Sequence, residues 1–126
     1  MPVEKRLAEM AQGLEAVIAE LRPEVAAIED VFYAKNPRSA LVLGQARGAA
    51  LATVGISGLP VFAYPPALVK QAVTGFGRAS KIQVAKMVAM LLGMRRVPTA
   101  DAADALAVAI AHAQIARRRT IGKEIA

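Results

Sequence analysis

Apolar residues recur at spacings of three and four from Val3 through Leu7, Met10, Leu14, Val17, Ile18 and Leu21, with Glu, Lys and Gln between them. That period predicts an amphipathic helix over 3–21, stopped by Arg22-Pro23-Glu24. Val25 to Ile28 is a short apolar run ending in Glu29-Asp30 and reads as a buried parallel strand. Asn36-Pro37 supplies a cap and a first-turn proline for a helix from Arg38 to about Val54, which carries Gly44 and Gly48 four apart. Gly55 to Gly58 is a turn, Leu59 to Tyr64 a second strand, and Pro65-Pro66 begins a helix to about Val73. After Gly75-Phe76-Gly77, Ser80 caps a helix from Lys81 to about Leu92. Ala100 to Ala116 is apolar almost all round and is expected to be buried, followed by a basic tail over 117–126. The expected architecture is α/β, with the order αβαβααα in one domain spanning 1–126. Two strands are few for five helices, and the first strand would need a neighbour that the sequence does not supply.

Charge changes this picture by being segregated. The net is +6, yet residues 1–30 hold seven acidic residues against three basic ones, a net of −4. From Val31 onward there are thirteen basic residues against Asp101, Asp104 and Glu124, a net of +10. Such an excess favours polyanions and salt-sensitive phosphate contacts. Cysteine is absent, which excludes disulfides, thiolate nucleophiles and thiolate metal sites and fits a reducing compartment. Five aromatic residues are too few for a broad base-stacking platform. The longest uncharged stretch, Gly48 to Val69, is broken by Gly55, Gly58, Pro60, Pro65 and Pro66, and Glu9, Glu15 and Glu20 interrupt the first helix. Neither a membrane span nor a signal peptide is expected, and a cytoplasmic location is.

The candidate chemistry lies in carboxylates. Asp101 and Asp104 are three apart at the start of the last helix, so they share a face with Ala105, Val108, His112 and Ile115 and are expected to point inward. They could serve the helix dipole and cap free N–H groups. Glu29 adds a second reading, because a carboxylate at the carboxyl end of a parallel strand lies where α/β sheets place ligand sites. Three acids in one place repel one another unless a cation joins them. Mg2+, which takes oxygen ligands and usually shares them with substrate phosphate, fits such a set, and one or two ions support phosphodiester cleavage. Lys70 and Lys81 flank Gly75-Phe76-Gly77 and could straddle a phosphate or stay solvated. Phe32 could wedge between bases or close the core. His112 is assigned no role. Gly44 and Gly48 permit a close helix contact, within the chain or with a second copy.

The segments Ala27-Ile-Glu-Asp-Val-Phe-Tyr-Ala-Lys-Asn-Pro37, Leu43-Gly-Gln-Ala-Arg-Gly48, Val69-Lys-Gln-Ala-Val73, Gly75-Phe-Gly77 and Asp101-Ala-Ala-Asp-Ala-Leu-Ala-Val108 resemble the RuvC family of bacterial Holliday junction resolvases in order and spacing. The resemblance covers Pro23 to Ala116 and, more weakly, the first helix. It implies a ribonuclease H-like fold, a homodimer, Mg2+-supported symmetric nicking of four-way DNA junctions (Mn2+ can substitute) and the partners RuvA and RuvB. By similarity, Glu29, Asp101 and Asp104 match metal-binding catalytic carboxylates. Lys70 and Lys81 match basic residues near the scissile phosphate, and Phe32 matches an aromatic that contacts bases at the crossover. Lys35, Arg47 and Arg78 are further candidate DNA contacts.

The family begins with a hairpin whose first strand carries a Gly-Ile-Asp-Pro-Gly-type motif and the first metal-ligating Asp, whereas no Asp precedes Asp30 here. The expectation is that the amino-terminal strand region is missing. The rival readings to a junction endonuclease are a non-catalytic DNA-binding or dimerisation fragment and a partly folded, self-associating chain.

Overall fold

In the computed structural model the described residues are 1–31 and 34–125, with side chains described through Arg119. The element order is α1 (Val3–Leu21), β1 (Ala26–Glu29), α2 (Pro37–Ile56), β2 (Val61–Tyr64), α3 (Pro66–Thr74), α4 (Lys81–Leu91) and α5 (Ala100–Ile125). The expected αβαβααα order is therefore present. Phe32, a candidate base contact, lies outside the described residues.

The chain divides into two compact units, Met1–Ala26 with Val31–Val61 and Ala27–Asp30 with Phe62–Ala126. In the first, α1 packs on α2. The packed stripe of α1 is Leu7, Ala11, Leu14 and Ile18, all only half-buried, while Val17 and Leu21 are exposed. Arg22 ends α1 in the left-handed region (φ 47°), its N–H donating to Ile18 O at 2.9 Å. Asn36 caps α2 as the sequence predicts, Oδ1 accepting from Ser39 N at 2.9 Å, with Pro37 in the first turn. Only Thr53 and Val54 of α2 are buried. By length and composition α2 is the one helix among the described residues that could cross a membrane; it carries Arg38 and Arg47.

The sheet consists of β1 and β2, most of whose residues belong to the second unit. Asp30 N donates to Tyr64 O (2.7 Å) at the end of the pair, and Ala26 N to Pro60 O (2.9 Å) at its start, a constant offset that makes the strands parallel. Every residue of β1 is half-buried, where a fully buried strand was expected. The core is aliphatic and small-residue rich: Val69 and Val73 of α3, Val84 and Val88 of α4, and Ala107, Val108 and Ala111 of α5, joined by Tyr64. Val88 has no exposed surface at all. α5 packs on both α3 and α4. It is not apolar-buried all round, however: Asp101, Ala105, Ala109 and Ala113 face outward, because alanine costs little to expose and only one stripe meets neighbours. The helix also runs on through Arg117–Arg119 to Ile125, so the first part of the expected basic tail is exposed helix. Arginine and lysine are good helix formers, and nothing in 117–125 except Gly122 opposes continuation.

Candidate functional site

Four charged side chains from four elements of the second unit converge on one cavity of about 130 Å3. Glu29 closes β1, and the Asp30–Tyr64 backbone bond beside it fixes the strand end. Lys70 follows Val69, which is buried on the inner face of α3, and is itself half-buried where it lines the cavity. Lys81 is the first residue of α4. Its position is set by a reciprocal cap: Ser80 Oγ accepts from Gln83 N (3.1 Å) and Gln83 Oε1 accepts from Ser80 N (2.8 Å). Between the lysines, Gly75 takes the left-handed conformation (φ 84°) that ends α3, with its N–H on Gln71 O at 2.9 Å. Thr74 Oγ1 then accepts from Phe76 N at 3.0 Å. The glycine-rich segment thus works as a helix stop and turn. It brings Lys70 and Lys81, eleven residues apart in sequence, to the same cavity.

Asp104 completes the set from the second turn of α5. Thr99 organises that helix start, its carbonyl accepting from Ala103 N at 2.8 Å. Val69, Val84 and Ala107 form an apolar floor, each no more than 5% exposed. The floor makes ionisation costly: burial holds the Glu29 carboxyl above its usual range, and Asp104 raises it further, while Lys70 and Lys81 oppose both. The Glu29 carboxyl therefore senses a second carboxylate and two ammonium groups across the cavity.

Asp101 departs from expectation. It is exposed and does not line the cavity. The buried stripe of α5 is Ala103, Ala107, Val108 and Ala111, and at 100° per residue Asp101 sits about 60° further from its centre than Asp104 does. Sharing a face was not enough to bring both acids inward. Among the described residues no group of three or more His, Cys, Asp or Glu side chains is gathered as a metal cage. The donors present are nevertheless of the kind a hard divalent cation uses: two carboxylates, one destabilised by the other, with room for water and a phosphate. A cation of that kind fits Glu29 and Asp104.

Of the other candidates, Lys35 and Arg78 are exposed, and Arg47 is half-buried on α2. Neither Lys35 nor Arg47 belongs to the unit that contains the cavity. His112, without an assigned role from sequence, has one here. Its Nδ1 is hydrogen-bonded to the hydroxyl of buried Tyr64, and its ring lies 4.6 Å from that of Phe62. The pair fastens β2 to α5, the helix that carries Asp104. Only the three-dimensional pairing across 48 residues reveals it.

A family model, crossover junction endodeoxyribonuclease RuvC, matches residues 1–112. A relative of that name from Chloroflexus aggregans is 50% identical over 117 residues, covering 92% of this chain and 71% of its own. Another, from Citrifermentans bemidjiense, is 52% identical over 121 residues, covering 96% and 74%. The structure of Thermus thermophilus RuvC in complex with Holliday junction substrate superimposes with a TM-score of 0.90 at 39% identity, over 95% of this chain and 73% of that one. The fold is accordingly ribonuclease H-like, in keeping with the expectation from sequence. On matches of this extent, the chain belongs to the RuvC family of crossover junction endodeoxyribonucleases.

Proposed function

We propose that this protein is a structure-specific endonuclease that resolves Holliday junctions by metal-dependent nicking in DNA recombination and repair. The observation that carries the proposal is the convergence of Glu29, Asp104, Lys70 and Lys81 on one small cavity. Glu29 and Asp104 hold the divalent ion, Mg2+ with Mn2+ as a substitute. Asp101, which is exposed and does not line the cavity, would join them only by swinging its side chain over from the preceding turn. When bound, the ion activates water and offsets charge on the scissile phosphate. Lys70 and Lys81 donate to the phosphate oxygens and hold the phosphodiester against the carboxylates. The apolar floor keeps bulk water from screening these contacts. Phe32, Lys35, Arg47 and Arg78 are further contacts to the junction DNA.

The expected acting form is a homodimer that meets two strands of the junction symmetrically. α2 supports this: Leu41, Val42 and Leu43 are exposed, and among the described residues a Cβ added at Gly44 or Gly48 would meet nothing within 4 Å. Packing among the described residues does not require these glycines, and their small size suits close approach of a second copy. Family membership supports RuvA and RuvB as assembly partners and a cytoplasmic location.

The test is nicking of a synthetic four-way junction against linear duplex, with and without Mg2+. Junction-specific, Mg2+-dependent cuts that disappear in Glu29→Gln are expected. A second reading, junction binding or dimerisation without chemistry, draws on the two-carboxylate cavity; tight junction binding with no cut in any divalent ion would select it.

A further inference from the structure

A second cavity, of about 230 Å3, adjoins the first and shares Lys81 and Asp104 with it. Ile82 and Ala85 of α4 form one wall, and Val97 and Pro98, ahead of α5, form the other. Lys86 stands at its edge. Two features of this cavity are unusual beside a site for a polyanion. Its lip is aliphatic and open: Ile82 is 68% and Val97 53% exposed. Such surface gains nothing from a phosphate, and leaving it in water costs about 25 cal/mol per Å2. The lip is also preorganised, because Pro98 restricts Val97 to extended backbone and Ile82 sits in the capped first turn of α4.

The ligand that matches aliphatic walls flanked by ammonium groups is a nucleoside, with an apolar base face and a phosphate on either side. Size agrees: an engineered cavity of roughly 150 Å3 takes benzene, so 230 Å3 admits a base ring. Continuity identifies which nucleoside. An occupant of this cavity abuts whatever Lys81 and Asp104 hold in the other. We propose that the second cavity seats the nucleoside directly flanking the scissile phosphate, its base packed on Ile82 and Val97, with Lys86 taking the next phosphate along the cleaved strand. This makes the cavity a contact that selects sequence or stacking at the cut. It rests on the junction-nuclease reading above.

The experiment is a coupling cycle between protein and DNA. Ile82→Ser and Val97→Ser are each paired with four-way junctions carrying one abasic residue at each of the two positions on either side of the cut. Junction affinity is read by fluorescence anisotropy, and nicking is followed in parallel. On the intact junction each variant is expected to weaken binding about tenfold. With the abasic residue at one position adjoining the cut, wild type should lose a similar factor and the variants no more than about twofold beyond it. Both side chains are exposed, so the variants fold; matching urea midpoints check this. A penalty that persists on every abasic junction, or variants that bind like wild type, overturns the inference while leaving the nuclease reading intact. Absence of junction binding by the wild-type protein overturns both.

Discussion

Replacing Lys70 and Lys81 together by alanine probes how the chain holds DNA at the cut. Both ammonium groups line one cavity of about 130 Å3, and both act on the same Glu29 carboxyl. Their geometry therefore predicts that they converge on a single phosphate. Each phosphate contact contributes about 0.9 to the slope of log affinity against log salt. The double variant should lose about 0.9 of slope per site, whereas two separate phosphates would take away about 1.8. Between 50 and 200 mM salt, wild-type affinity should thus fall about 3.5-fold more than that of the variant for each site engaged. Fluorescence anisotropy with a labelled four-way junction in metal-free buffer measures both slopes. A second readout follows from electrostatics: with both cations gone, burial and Asp104 act on Glu29 unopposed, and its titration, followed by carboxyl NMR, should move upward. An unchanged slope would place the lysines off the DNA, and a change near 1.8 per site would refute convergence on one phosphate.

Other consequences can be measured separately. Because burial and Asp104 raise Glu29 in the folded state, the native chain binds that proton more tightly than the unfolded one does. Metal-free stability should then decline as pH rises from the ordinary glutamate range through the folded pKa. Glu29→Gln should match wild type below that window and exceed it above, in urea midpoints taken across pH. Asp104→Asn should lower the Glu29 titration toward its usual range, seen by carboxyl NMR, since it removes the second cause of the rise. Ser80→Ala deletes one half of the capping box and should cost about 1 kcal/mol in urea unfolding. Tyr64→Phe removes the hydroxyl paired with His112 and should cost a similar ~1 kcal/mol, with nicking retained because neither group reaches the cavity.

Much of the secondary structure was legible because local chemistry sets it. The spacing of apolar residues marked α1 over its observed length, Asn36-Pro37 marked the start of α2, and Ser80 marked the start of α4. Strand positions came within a residue or two, since a four-residue apolar run gives no sharper edge. The far end of α5 was not legible: a run of arginines reads equally as a solvated tail or as the last turns of a helix.

The sequence by itself determined the inventory of this protein: segregated charge, carboxylates at one strand end and one helix start, two lysines on either side of a glycine turn, and the motif order of its family. Only the tertiary structure decided which of these meet. It turned Asp104 inward and left Asp101 outside, because the stripe of α5 that packs on α3 and α4 is centred nearer Asp104. It also paired Tyr64 with His112 and joined a second, aliphatic cavity to the charged one. Helical and strand periods are local properties of the backbone and can be read along the chain. Convergence depends on how separate elements pack, and contacts between residues far apart in sequence leave no periodic trace in it.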